Sequence, residues 1–173
     1  MELGELLTRW TVRAALALYV VALILRATSP RRRSTWSRLA WTLGCLAFLL
    51  HVLCALHFVH HWSHEAAYEE TARRTAEVVG FAWGGGLFAN YLFTLLWMAD
   101  VCWWWWDAAG YLLRPRVVEW VVQGFLGFMA FNATVVFGVG AIRWAGLAGA
   151  LLLAAAWGYA ARRDRLAAPQ AGA

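Results

Sequence analysis

The chain has 173 residues, of which 62% are hydrophobic, 16% aromatic and only 14% charged; its basic residues are fifteen arginines without a lysine, and its net charge is +5. That apolar content exceeds what one soluble core of this length needs, so the composition excludes an ordinary water-soluble domain and predicts an integral membrane protein with the lipid bilayer as its first partner. The arginines occur in short clusters between apolar runs, which argues against nucleic acid as a partner, and Cys45, Cys54 and Cys102 lie within apolar runs at unpaired spacings, which argues against a disulfide framework or a zinc ribbon.

Five apolar runs approach the roughly 20 residues that a spanning helix requires. The first, residues 10–25, is short and carries Arg13, whose side chain must reach back to an interface. Glu2 and Glu5 stand where a secretory signal would be basic, and no small-x-small cleavage site follows the run before "TSPRRR", so an uncleaved span is expected. The second run covers residues 39–62. It is followed by "SHEAAYEETARRTAEVVG", which is rich in Ala, Glu and Arg and free of proline, so the helix is expected to continue outward as an extension over 63–79 that ends at Gly80. Residues from His51 to Tyr68 then read as one helix.

The third run, 81–106, opens on Gly84 to Gly86 and closes on Trp103 to Trp106, four tryptophans expected to anchor an interface rather than to form a ligand box. The fourth, 117–139, and the fifth, 144–161, are separated by so few residues that a tight antiparallel hairpin is predicted. Small residues recur at four-residue spacing in the fifth, Gly146 with Ala150 and Ala154 with Gly158. That pattern favours close helix packing, within the chain or against a membrane protein partner or a second copy in a homo-oligomer. The expected fold class is therefore all-α: a polytopic membrane helix bundle with five transmembrane helices in a single domain, residues 1–173.

Charge orients the bundle. With the N-terminus outside and the C-terminus cytoplasmic, "RATSPRRRSTWSR", "LLRPR" and "ARRDR" place ten of the fifteen arginines in the cytoplasm and leave Arg9, Arg13, Arg73, Arg74 and Arg143 outside. Trp10, Trp62, Trp83 and Trp144 then form an outer belt, and Trp36, Trp41, Trp103 to Trp106 and Trp120 an inner one. The exclusive use of arginine fits a GC-rich genome, and the expected location is a bacterial inner (cell) membrane.

All five histidines lie in "HVLCALHFVHHWSH", residues 51–64. On one helix advancing about 100° per residue, His57, His61, His64, Cys54 and Tyr68 share a stripe, His60 stands beside it and His51 points away. Imidazoles three and four residues apart can converge on one zinc, copper or iron ion, or supply an axial ligand to a haem. Glu65 or Glu69, or Asn90, Tyr91 and Asn132 at similar depth on other spans, would complete the expected site. The competing explanation is that these are amphipathic side chains at headgroup depth.

Known signatures match only locally. "HEAAY" resembles the zinc protease pattern HExxH but has Tyr68 at the second ligand. "HFVHH" resembles one histidine box of the membrane di-iron desaturases and hydroxylases, which use several such boxes. The length, span number and tryptophans resemble the tryptophan-rich sensory/translocator family, whose spans carry prolines; here Pro30, Pro115 and Pro169 all lie outside the spans.

Asp100 is costly within an apolar span and is expected to face the bundle or to pair with Arg114 or Arg116. Glu119 and Gln123, entering at similar depth, would join it in an inner polar cluster. A proton or ion path from that cluster to the histidines would have to cross positions occupied by Leu, Phe, Val and Ala, so a hydrogen-bonded helix pair is the stronger expectation. Two functions follow: metal handling or a redox accessory role at the histidine stripe, or a non-catalytic membrane subunit or scaffold with structural histidines. An enzyme ranks last, because no nucleophile or paired acids fall in one layer.

Overall fold

A computed structural model describes residues 3–29 and 35–167, with Asp164 and Ala167 described through their backbone alone. Glu2, Pro30, Arg31 to Arg33 and Pro169, used in the sequence argument, lie outside the described residues. The described residues form helices joined by short turns and contain no strand. Its elements are α1 (Leu3–Thr28), α2 (Thr35–Cys54) running into a π-helical turn (Ala55–Val59), α3 (His64–Val79), α4 (Gly86–Trp106), a short α5 (Ala108–Leu113), α6 (Arg116–Phe131) running into a second π turn (Asn132–Val136), and α7 (Ala141–Ala167). Five of these helical stretches are long and apolar enough to cross a membrane: Leu3–Thr28, Thr35–Val59, Gly86–Trp106, Arg116–Val136 and Ala141–Arg163.

The first span is longer than the apolar run that announces it. Thr8 and Thr11 return their hydroxyls to the carbonyls of Gly4 and Leu7 at 2.8 and 2.7 Å, and Arg13 lies over the Trp10 ring at 5.1 Å, so the polar residues of its first turns are satisfied locally.

The single helix expected through His51 to Tyr68 is broken. After the π turn, His61 and Trp62 adopt left-handed backbone with φ of 48° and 61°, each a conformation that costs a non-glycine residue about 1–2 kcal/mol. What stops the helix is the next helix start: the Ser63 hydroxyl accepts from the Ala66 amide at 3.1 Å and caps α3, competing with continuation of α2. At the far end of α3, Gly80 takes φ of 90° and closes the helix onto the Ala76 carbonyl. Asp107 likewise ends α4 and caps α5 by accepting from the Gly110 amide at 2.8 Å, and Pro115 precedes the first turn of α6.

The core is aromatic and is supplied mostly by α1, α2 and α4. The Tyr19, Trp41 and Trp97 rings meet one another at 5.1–5.6 Å, with Phe48 and Phe93 against Trp97, and Trp97 is fully buried. In contrast, Leu126 is the one buried residue of α6, and no described residue of α7 is buried.

One end of the bundle carries the histidines, α3 and the α6–α7 turn; the other carries α5 and the ends of α1 and α7, where Arg163 donates to the Thr28 carbonyl at 3.1 Å. We refer to these as the histidine end and the arginine end.

The small residues of α7 divide into two sets. A Cβ on Gly146 would stand 2.5 and 2.6 Å from Oγ1 and Cβ of Thr134, whereas one on Gly158 would meet nothing within 4 Å. A four-residue step turns the helix about 40° beyond a full circle, so the row drifts from the second π turn onto the open surface. Gly146→Val is therefore expected to destabilise the fold by about 1–3 kcal/mol, and a denaturation midpoint equal to wild type would count against this packing.

Candidate functional site

At the histidine end the broken helix scatters what the sequence had aligned. His51 Nδ1 faces the Thr8 carbonyl at 2.9 Å. His57 Nδ1 accepts from the Trp62 indole at 3.2 Å, and His64 Nδ1 lies 3.0 Å from the Tyr91 hydroxyl with the two rings stacked. Cys54 is buried behind them, while Glu65 is exposed in the first turn of α3. Of the other polar candidates, Tyr68 rests its ring against Gly84, Asn90 is exposed, and Asn132 returns its amide to the Phe128 carbonyl on its own helix at 2.8 Å. Among the described residues, no three His, Cys, Asp or Glu side chains gather where they could hold a metal ion. The expected stripe fails for a backbone reason: it needed a constant 100° step, and the π turn and left-handed pair intervene.

His57 and His61 do share an open cavity of about 450 Å³ with Gly4, Glu5, Phe58 and Val59. His60 points elsewhere, toward α3. Burial pushes its imidazole below the ordinary histidine range, partly offset by Glu70. On α3 itself, Arg73 and Arg74 each pair with Glu70 at 2.7 Å, and Arg73 also pairs with Glu77. The two arginines hold the Glu70 carboxyl below the usual carboxylate range.

The arginine end is better ordered chemically. Asp100 is ion-paired with Arg114, and the two side chains are 3% and 1% exposed. The second carboxylate oxygen accepts from the Trp41 indole at 2.9 Å and from the Tyr111 hydroxyl at 2.8 Å. Tyr111 is held between neighbours, stacked on Trp104 at 4.7 Å and 8°, with the Arg114 guanidinium 4.1 Å from its ring centre. Its hydroxyl also receives Arg26 Nη1 at 3.4 Å, and Arg26 in turn pairs with Glu119 at 2.6 Å. Five elements, α1, α2, α4, α5 and α6, thus meet through one connected set of polar side chains.

Asp100, Glu119 and Gln123 do not form the direct cluster expected of them. Asp100 and Glu119 belong to separate ion pairs joined through Tyr111, and the Gln123 amide is buried with no protein partner for either atom. Trp41 and Trp104, expected in the inner belt, are core residues 2% and 4% exposed; only Trp106, 93% exposed, stands fully clear of the bundle in the tetratryptophan. Nothing in the local sequence marks Arg26, Tyr111 or Trp41 as a site residue. The signal available for Tyr111 was its place in a six-residue helix between two span ends, a segment too short to stand without tertiary anchoring.

On its carboxylate side this network is closed, while Nε and Nη2 of Arg114 are buried with no hydrogen-bond partner among the described residues. Both Asp100 oxygens are occupied by donors, including a fixed cation, and between Asp100 and the histidines lies the Trp41, Trp97, Phe48 and Phe93 cluster. These features define a polytopic membrane helix bundle stapled by a buried ion-pair network. Comparison with known protein families, curated proteins and solved structures finds no match for this chain.

Proposed function

We propose that this protein is a non-catalytic subunit or scaffold of a membrane complex, oriented with the arginine end in the cytoplasm, and that the α6–α7 surface receives a transmembrane helix of its partner. The observation carrying this reading is the open face of α7, where Ala150, Ala154 and Gly158 are exposed and a Cβ at Gly158 meets nothing. Helices in a bilayer gain little from burying apolar surface against one another, and associate where small residues let backbones approach. At the opposite end the Asp100 and Glu119 carboxylates are each taken up in an internal ion pair, with Arg114 and Arg26, which suits a scaffold better than a reaction centre.

Photo-crosslinking groups at positions 154 and 158, in native membranes, are expected to give the same identified membrane protein, with none at the lipid-exposed Leu43 of α2. Lipid adducts alone at every position would count against the proposal.

Metal or haem handling is the competing reading. A metal ion would need a ligand from a second chain, since the described histidines, cysteines and acids do not gather in threes, whereas a haem would need only one or two axial ligands. Elemental analysis and the visible spectrum of protein purified without an affinity histidine tag separate the two. A near-stoichiometric metal or haem lost in the His57→Ala, His61→Ala, His64→Ala triple variant would replace the subunit reading with a metal one.

A further inference from the structure

The cavity at the histidine end is built from the first turn of α1 and the broken end of α2, and each wall contributes a different chemistry. Among the described residues Glu5 is the only formally charged one lining it, at 55% side-chain exposure and 3.9 Å from Arg9. Because His57 Nδ1 accepts the Trp62 indole proton, a neutral His57 imidazole must carry its own proton on Nε2, as a donor. The left-handed backbone at His61 and Trp62 turns the chain so that His61 also lines the cavity. Phe58 closes one side by lying against Gly4, where a Cβ would come within 2.5 Å of its ring. Phe58 and Val59 are 44% and 43% exposed, and Leu53, one turn deeper on the face of His57, is 51% exposed. Trp10 and Trp62, both strongly exposed at this end, mark the depth of the headgroup layer.

We infer that this cavity binds the headgroup of a zwitterionic aminophospholipid of the phosphatidylethanolamine type. The Glu5 carboxylate receives the ammonium, the His57 and His61 imidazoles donate to the phosphate, and the acyl chains descend past Val59 and Leu53. Glu5 is the one carboxylate among the described lining residues, with its Arg9 partner outside the lining, so the cavity disfavours a net anionic headgroup, and a quaternary ammonium offers the carboxylate no N–H donor. The volume lies within the range of ordinary small-molecule sites. This inference stands whether or not the α6–α7 surface receives a partner.

Native mass spectrometry of the full chain in detergent, offered equal amounts of phosphatidylethanolamine, phosphatidylcholine and phosphatidylglycerol with identical acyl chains, tests it. Wild type is expected to retain the ethanolamine lipid about threefold over either competitor, the scale of one partly exposed charge contact. Glu5→Gln, and separately His57→Ala with His61→Ala, should bring that ratio to near one while helix content and melting temperature stay at wild-type values. Glu5 is exposed, so its variant tests binding without testing folding. Equal retention of all three lipids by wild type would overturn the inference, as would preference for phosphatidylglycerol or a preference that survives Glu5→Gln. Displacement of the lipid by soluble phosphoethanolamine would overturn it in favour of a water-soluble ligand.

Discussion

Asp100→Ala is expected to lower stability by about 3–5 kcal/mol, because it strands the Arg114 guanidinium, 1% exposed, without its counter-charge. The same change removes the acceptor for the Trp41 indole and the Tyr111 hydroxyl, so two further buried donors lose their partner. Asp100→Asn keeps an oxygen for those donors but turns an amide NH2 toward the Arg114 guanidinium, so it removes the charge and the acceptor for Arg114 together. The double change Asp100→Leu with Arg114→Leu removes both charges and should recover much of the difference, since a buried ion pair contributes little over an apolar pair of similar size. Denaturant titration in mixed micelles measures all four proteins. Stability of Asp100→Ala equal to wild type would show that the network is not what holds α4 to α5. Asp100→Asn in liposomes also bears on transport: a changed ion or proton flux would mean that the closed network opens.

Trp97→Ala should cost a similar amount, about 3–5 kcal/mol, by a different route. Its ring is 0% exposed and touches the rings of Tyr19, Trp41, Phe48 and Phe93, and a Cβ on Gly44 would reach it at 3.0 Å. Transfer from water to lipid has already occurred when membrane helices meet, so what Trp97 supplies is dense contact, and its removal leaves a cavity that rigid helices cannot fill. Trp97→Phe should lose less than half as much. A shift in near-ultraviolet circular dichroism alongside the denaturation midpoint would tie the loss to this cluster. An alanine variant with an unchanged midpoint would mean that the aromatic core is dispensable.

Residue types placed these features unevenly. Asp100 was legible as a residue in need of a cation, and the "LLRPR" segment named Arg114 as one of two choices, because a charge in an apolar run has few neighbours at its own depth. Tyr111, Trp41 and Arg26 were not legible, since nothing local distinguishes a tyrosine, tryptophan or arginine near a span end that anchors an interface from one that turns inward. The histidines failed in the other direction. Their spacing described a stripe only on an unbroken helix, and the Ser63 cap with the left-handed His61–Trp62 pair spent that continuity on starting α3.

The sequence by itself determined the class: an all-helical chain with five apolar helices long enough to span, because a bilayer leaves a segment of about 20 apolar residues almost no alternative to a helix that satisfies its own backbone. It also determined the existence of α3, through its composition and its terminal glycine. Only the tertiary structure decided which partner each buried polar side chain takes, which tryptophans face inward, and that Glu5, distant in sequence, shares a cavity with His57 and His61. Those outcomes depend on how helices rotate about their axes and where they break, and both are set by side-chain packing between spans, which no local period encodes.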